Sequence, residues 1–296
     1  MKTIISALGI LLALAGGPAG AEPPKIVASI KPVHSLIAGI TGGSSGGFAS
    51  PYLLVRGYDS PHTFSLRPSD ARALASADIV FWIGPGMARF LERPLGRLAA
   101  RARIVALAAA AGVKRYRIAG TYDPHIWLDP VNAKAMAGAI ADALSQADPG
   151  NAPRYRANAD RLRARLDRLD AEIERTLEPV RSQPFVVLHD AYRYFGRRYR
   201  LNQVAAATRG SQHRPGARHL VFVRKRLKET GARCLFREPG VTPNLARTIV
   251  RGTGARIAVL DPLGVDIKPG RDAYFKILRR MARDFRNCLS RPPGRK

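Results

Sequence analysis

From Pro153 to Pro179 the chain carries one long amphipathic segment, closed by a proline at each end. Tyr155, Ala159, Leu162, Leu166, Leu169, Ile173 and Leu177 recur at spacings of three and four, while Arg161, Arg163, Arg165, Arg168, Glu172 and Arg175 fill other positions. That period describes a single helix with one apolar stripe. At 1.5 Å per residue it would run about 40 Å, the length of a small domain. A rod of this kind needs folded material along its stripe, and it is expected to join two halves of the chain as a stiff strut.

On both sides of the rod, short β-rich runs alternate with longer helical ones, the pattern of α/β layers with parallel strands. Before it, strands are expected over 26–30, 52–55, 79–83 and 104–107, with helices over 32–40, from Pro68, over 87–100 and over 130–147. After it, strands are expected over 185–188, 203–206, 233–236 and 256–260, with helices over 191–199, 217–230, 243–251 and 274–289. With 46% hydrophobic residues, a chain of 296 residues can fill two modest cores. The fold class read from this is α/β: two lobes with mainly parallel sheets flanked by helices, joined by one long rigid helix. The division is an N-terminal lobe over 22–152, a connecting helix over 153–180 and a C-terminal lobe over 181–296.

Residues 1–21 stand apart. Lys2 gives a positive start, 4–14 is an apolar run, and Ala19-Gly20-Ala21 ends in small residues, which together read as a secretory signal peptide cleaved after Ala21. No cysteine follows the run to take a lipid anchor, and the run is short for a membrane span. A soluble periplasmic protein is expected. Two cysteines, Cys234 and Cys288, lie in the last quarter. In an oxidising compartment they most simply pair; two buried thiols are the alternative.

Open α/β sheets bind ligands beyond the carboxyl ends of their strands, and three of the six histidines fall at such places. His62 lies in the loop after the second strand. His125 sits in Asp123-Pro124-His125-Ile126-Trp127-Leu128-Asp129-Pro130, where Asp129 can cap a helix and Pro130 can occupy its first position. His189 follows directly on the strand over 185–188, and Asp261 follows the strand ending at Leu260. Any one of these histidines alone is equally well a hydrogen-bonded core or surface residue. Together they point to a metal site in the cleft between the lobes, three imidazoles plus a carboxylate or a water suiting four-coordinate zinc. Glu238 and Asp59 are supporting or alternative carboxylates. His34 is read as structural, His213 and His219 as exposed, Trp82 as core, and Trp127 as core or as a wall of the site.

The net charge is +27, or +26 once Lys2 leaves with the signal peptide. The arginines are spread over every helix and no aromatic-interleaved basic motif occurs, so no nucleic-acid partner is expected. A weak attraction to anionic surfaces is consistent with the balance.

These residues carry a resemblance. Ser29-Ile30-Lys31-Pro32-Val33-His34-Ser35-Leu36, Ser60-Pro61-His62, Leu66-Arg67-Pro68-Ser69-Asp70-Ala71, Phe81-Trp82-Ile83-Gly84-Pro85, His125-Ile126-Trp127-Leu128-Asp129-Pro130, His189-Asp190-Ala191-Tyr192-Arg193-Tyr194-Phe195 and Leu260-Asp261-Pro262-Leu263-Gly264 follow one another in order. In this the chain resembles the zinc-specific solute-binding proteins of ABC importers, the metal-binding cluster A-I family. The resemblance implies Zn²⁺ as the transported ligand, held by His62, His125 and His189 with Asp261 or water in fourth place. It also implies a Cys234–Cys288 disulfide in the C-terminal lobe, a monomer that delivers its metal to the membrane permease of an ABC transporter, and no enzymatic activity. The chain departs from the family in two ways. The stretch 108–122 is short and lacks histidine where many zinc members have a long His- and acid-rich loop, and the strong positive charge opposes a divalent cation unless the cleft is locally neutralised. Competing readings are a zinc hydrolase working through a metal-bound water, a binder of manganese or another divalent metal, and a basic adhesion module.

Overall fold

Ile79, Val80, Phe81 and Trp82 are all buried, with no alternation of exposure along the strand. A continuous apolar run of this kind belongs to a parallel strand covered on both faces. The computed structural model describes residues 22–43, 50–118, 120–208 and 216–291. The expected signal peptide, part of the Gly/Ser-rich stretch after residue 41, and His213 lie outside them.

Four strands, β1 (Ile26–Ala28), β2 (Tyr52–Leu53), β3 (Ile79–Trp82) and β4 (Arg103–Ala106), form a parallel sheet in the order β2-β1-β3-β4. A two-stranded antiparallel hairpin, β5 (Arg117–Ile118) with β6 (Thr121–Tyr122), follows it. The second parallel sheet holds β7 (Phe185–His189), β8 (Gln203–Thr208), β9 (Cys234–Arg237) and β10 (Arg256–Val259) in the order β10-β9-β7-β8. The helices are α1 (Lys31–Thr41), α2 (Pro68–Ala75), α3 (Arg89–Leu98), α4 (Pro130–Ala147), α5 (Ala152–Leu177), α6 (Arg193–Arg198), α7 (Ala217–Thr230), α8 (Pro243–Val250) and α9 (Ala273–Leu289). The strands and helices read from the sequence are present, with bounds shifted by a residue or a few. The hairpin was not expected, because two pairs of residues around a turn leave no periodic signal.

The long helix α5 has 26 residues, about 39 Å at the standard rise. Its predicted stripe is the buried face: Tyr155, Ala159, Leu162, Leu166, Leu169, Ile173 and Leu177 are each at most 2% exposed. They pack against α1, α4 and α9 and lie in one continuous apolar core with Phe81 of the first sheet and Phe185 of the second. Two smaller clusters cover the other faces of the sheets, Val80 and Trp82 in one, Val186 and Leu235 in the other. On the polar side of α5, Glu172 accepts a forked pair of bonds from Arg279 of α9, and Asp170 pairs with Arg198 of α6. The disulfide Cys234–Cys288 joins β9 to α9.

Candidate metal centre

Three loops, two from the first sheet's half of the chain and one from the second, deliver the site. His125 is set by the chain immediately around it. Asp129 accepts a bond from Val131 N–H at 2.9 Å and Pro130 opens α4, so the helix start is fixed as its residues dictate. Asp123 turns back on itself: its Oδ1 accepts the His125 backbone N–H at 3.0 Å and lies 2.7 Å from His125 Nδ1. His189 ends β7, and its Nδ1 lies 2.9 Å from Oε1 of Glu238, the residue after the adjacent strand β9. His62 sits in the turn before α2, with its backbone N–H donated to Ser60 Oγ at 3.3 Å.

The ring centroids of His62, His125 and His189 are 5.6, 5.5 and 5.1 Å apart, each pair edge to face. Their candidate donor atoms all lie within 4.8 Å of one another. Nε2 of His62 and Nε2 of His189 are buried and have no hydrogen-bond partner among the described residues. Buried polar atoms are normally satisfied, so a converging set of orphaned imidazole nitrogens asks for a cation. Tetrahedral zinc holds its nitrogens about 2.0–2.1 Å from the ion and about 3.3 Å from each other, so side-chain shifts of order 1 Å complete the shell. Carboxylates on the far ring nitrogen of His125 and His189 set which nitrogen carries the proton, leaving the other lone pair for a metal.

The electrostatics of the three rings differ. Burial, then the neighbouring rings of His125 and His189, push His62 down to about 3, so it is neutral at any ordinary pH. Burial acts on His189 in the same sense, but the charge of Glu238 and the hydrogen bond to it outweigh burial and hold His189 above its usual value. Glu238 answers in kind: burial opposes its charge, and the His189 imidazole overrides burial and holds its carboxyl below the usual range.

The cleft at the three rings has a volume of about 50 Å³ and is lined in part by the carboxylates Asp59, Glu238 and Asp261, with no lysine or arginine among its described lining residues. The charged groups that line the cavity beside the rings are thus carboxylates. Asp261 sits at this cavity but outside the cluster of donor atoms. Its Oδ1 accepts Leu263 and Gly264 N–H at 3.1 and 2.7 Å, and its Oδ2 accepts Val265 N–H at 2.7 Å, so both oxygens organise their own loop. Gly264 there has φ +64°, and a Cβ would stand 2.5 Å from Ile277, which leaves room only for glycine. Buried Lys31 donates to the Gly264 and Val265 carbonyls, fastening this loop to α1.

The remaining sequence candidates fall as follows. Asp59 accepts from Arg67 at 2.9 Å at the rim. Trp127 is fully buried, walls the cavity 5.4 Å from the His125 ring, and donates its Nε1–H to the Pro262 carbonyl at 2.9 Å. Trp82 is core. His34 is buried away from the cluster, 3.2 Å from Ser50 Oγ, and burial lowers it to about 4. His219 is exposed. Asp123, Arg193 and Lys31 were not singled out from the sequence. Only Asp123, two residues before a histidine, left a local trace there, as an Asx turn.

Residues 26–288 match the model of the family described as zinc-uptake complex component A, periplasmic. The chain belongs to this family. A relative from Brucella suis biovar 1, named high-affinity zinc uptake system protein ZnuA, is 33% identical over 335 residues, covering 98% of this chain and 99% of its own length. Among solved structures, a ZnuA deletion mutant with zinc bound superposes with a TM-score of 0.80 at 28% identity, over 92% of this chain and all of that one. The Pseudomonas aeruginosa protein FpvC in complex with Mn²⁺ also reaches 0.80, at 22% identity over 91% of this chain and 99% of its own, and shares the fold. No helix among the described residues is long and apolar enough to cross a membrane.

Proposed function

We propose that this protein binds Zn²⁺ in the periplasm and hands it to the membrane permease of an ABC importer, as the zinc-binding component of a high-affinity uptake system. The observation that carries this is the convergence of His62, His125 and His189 from both halves of the fold, with buried Nε2 atoms of His62 and His189 that no group among the described residues satisfies. Family membership and the near full-length likeness to proteins named for zinc uptake support it. The mature chain begins after residue 21 and acts as a monomer, with lobes over 22–152 and 181–296 joined through 153–180.

The three histidines are the ligands, and the fourth place belongs to water. Asp261 is disfavoured because its oxygens are committed to three backbone N–H groups. An all-nitrogen set favours zinc over manganese, which takes more carboxylate. A cavity of about 50 Å³ accommodates an ion and a water, and is small beside the several hundred Å³ usual for organic ligands, which weighs against a hydrolase. Glu238, a carboxylate lining the cavity that could serve as a general base, is already engaged with His189.

The metal content of untagged protein purified from the periplasm, followed by competition of the bound metal against manganese, tests the proposal. One equivalent of zinc that excess manganese fails to displace is expected. Purification with manganese bound, or ready exchange for it, would overturn the zinc assignment.

A further inference from the structure

Nε of Arg193 and Oδ2 of Asp123 face each other at 3.6 Å, both buried and neither in a hydrogen bond among the described residues. They belong to opposite sides of the site. Asp123 is the residue whose other oxygen holds both the backbone and the ring of His125. Arg193 opens α6, four residues after His189, and its Nη2 donates to Asp190 Oδ2 at 2.7 Å. Asp190 is itself fixed by Gln203, whose Nε2 donates to Oδ1 at 2.8 Å. The next residue of α6 grips the same loop: Tyr194 O–H donates to the Asp123 carbonyl at 2.9 Å and accepts Tyr116 N–H at 3.0 Å.

A buried carboxylate is costly unless it is paired and bonded. Asp123 is 1% exposed, spends Oδ1 on His125, and among the described residues has the Arg193 guanidinium opposite Oδ2. We infer that Arg193 is a positioning residue for metal binding: anchored on Asp190, it holds Asp123 and through it the His125 ring, so that the loops bearing His125 and His189 move as one unit when metal enters or leaves. The inference rests on His125 and His189 being ligands. Its chemistry is charge and direction: a guanidinium offers fixed N–H vectors to two carboxylates at once, which an ammonium on a flexible stem does not.

The test is a double-mutant cycle on the full mature protein, with zinc affinity and release rate read by competition with a chromophoric chelator. Arg193→Met keeps most of the aliphatic stem and is expected to weaken zinc binding about tenfold, mainly through faster release, the low end of what outer partners of a metal-bound imidazole are worth. Arg193→Lys should recover part of the loss. Asp123→Asn should cost more, and Arg193→Met should cost nothing further in that background, because its effect passes through Asp123. Affinity within twofold of the wild type in Arg193→Met, or a loss that multiplies fully with that of Asp123→Asn, would overturn the inference. Should Arg193→Met fail to fold by far-ultraviolet dichroism, the cycle is run with the uncharged Arg193→Gln under the same criteria. A variant with all three histidines changed to alanine separates the two levels: undiminished zinc binding there means that the ligand assignment has failed, not the role of Arg193.

Discussion

Nδ1 of His189 and Oε1 of Glu238 stand 2.9 Å apart, joining the ends of neighbouring parallel strands. Because β7 pairs with β9, the residues that follow them emerge side by side at the carboxyl edge of the sheet. The bond gives the imidazole one defined orientation and turns its bare Nε2 toward His62 and His125.

Removing that support should loosen the metal without unmaking the fold. Glu238→Ala is expected to weaken zinc affinity by roughly 10- to 100-fold, as loss of a carboxylate behind a metal-bound histidine does elsewhere. Chelator competition at fixed pH measures it, and unchanged affinity would show that Glu238 does not orient the ring.

The pH dependence follows from His189. Its value is held above the usual one, so protons compete with the metal there first, while His62, at about 3, stays neutral and hardly competes. Apparent zinc affinity should therefore fall as pH drops, beginning above the ordinary histidine value of about 6.5. In Glu238→Ala the main raising influence is gone and burial is opposed only by the weaker pull of Asp190 and Asp123, so the fall should move to lower pH. Titrations from pH 5 to 8 on both proteins check this; coincident midpoints would contradict it.

His34 gives a stability effect independent of metal. Its value falls to about 4 on burial, so between about 6.5 and 4 the unfolded chain binds a proton that the folded chain refuses. Apo-protein stability should thus decline as pH falls through that window, by on the order of 3 kcal/mol in full. Denaturant unfolding of His34→Gln should show a shallower decline. An identical slope in both proteins would remove His34 as the cause.

The Cys234–Cys288 bridge spans 54 residues and should be worth about 4 kcal/mol in chain entropy. Replacing both cysteines by serine is expected to lower Tm by about 10 °C. Zinc affinity should change little, because Cys234 begins β9 while Glu238 lies beyond its other end. A large loss of affinity with unchanged Tm would reverse that assignment.

What the sequence disclosed was whatever leaves a local period or a cap. The α5 stripe, the Asp129-Pro130 helix start and the placement of His189 at a strand end were legible because neighbours along the chain decide them. Asp261 could be placed at the cleft but not oriented, since three following N–H groups claim its oxygens only once the Gly264 turn forms. Lys31 was opaque for another reason: its bonds to Gly264 and Val265 span more than 230 residues, and no pattern around a lysine at a helix start announces them. The apparent conflict between net charge and a cationic ligand eases in three dimensions, where the cavity is lined by carboxylates and by no lysine or arginine among the described residues, and the nearby Arg67 and Arg193 face Asp59 and Asp123.

The most direct measurement is a zinc titration of the mature protein beside a variant with His62, His125 and His189 all changed to alanine. One tight equivalent in the first and none in the second is the expected result. Equal tight binding by both would contradict the assignment of these three imidazoles as the metal site.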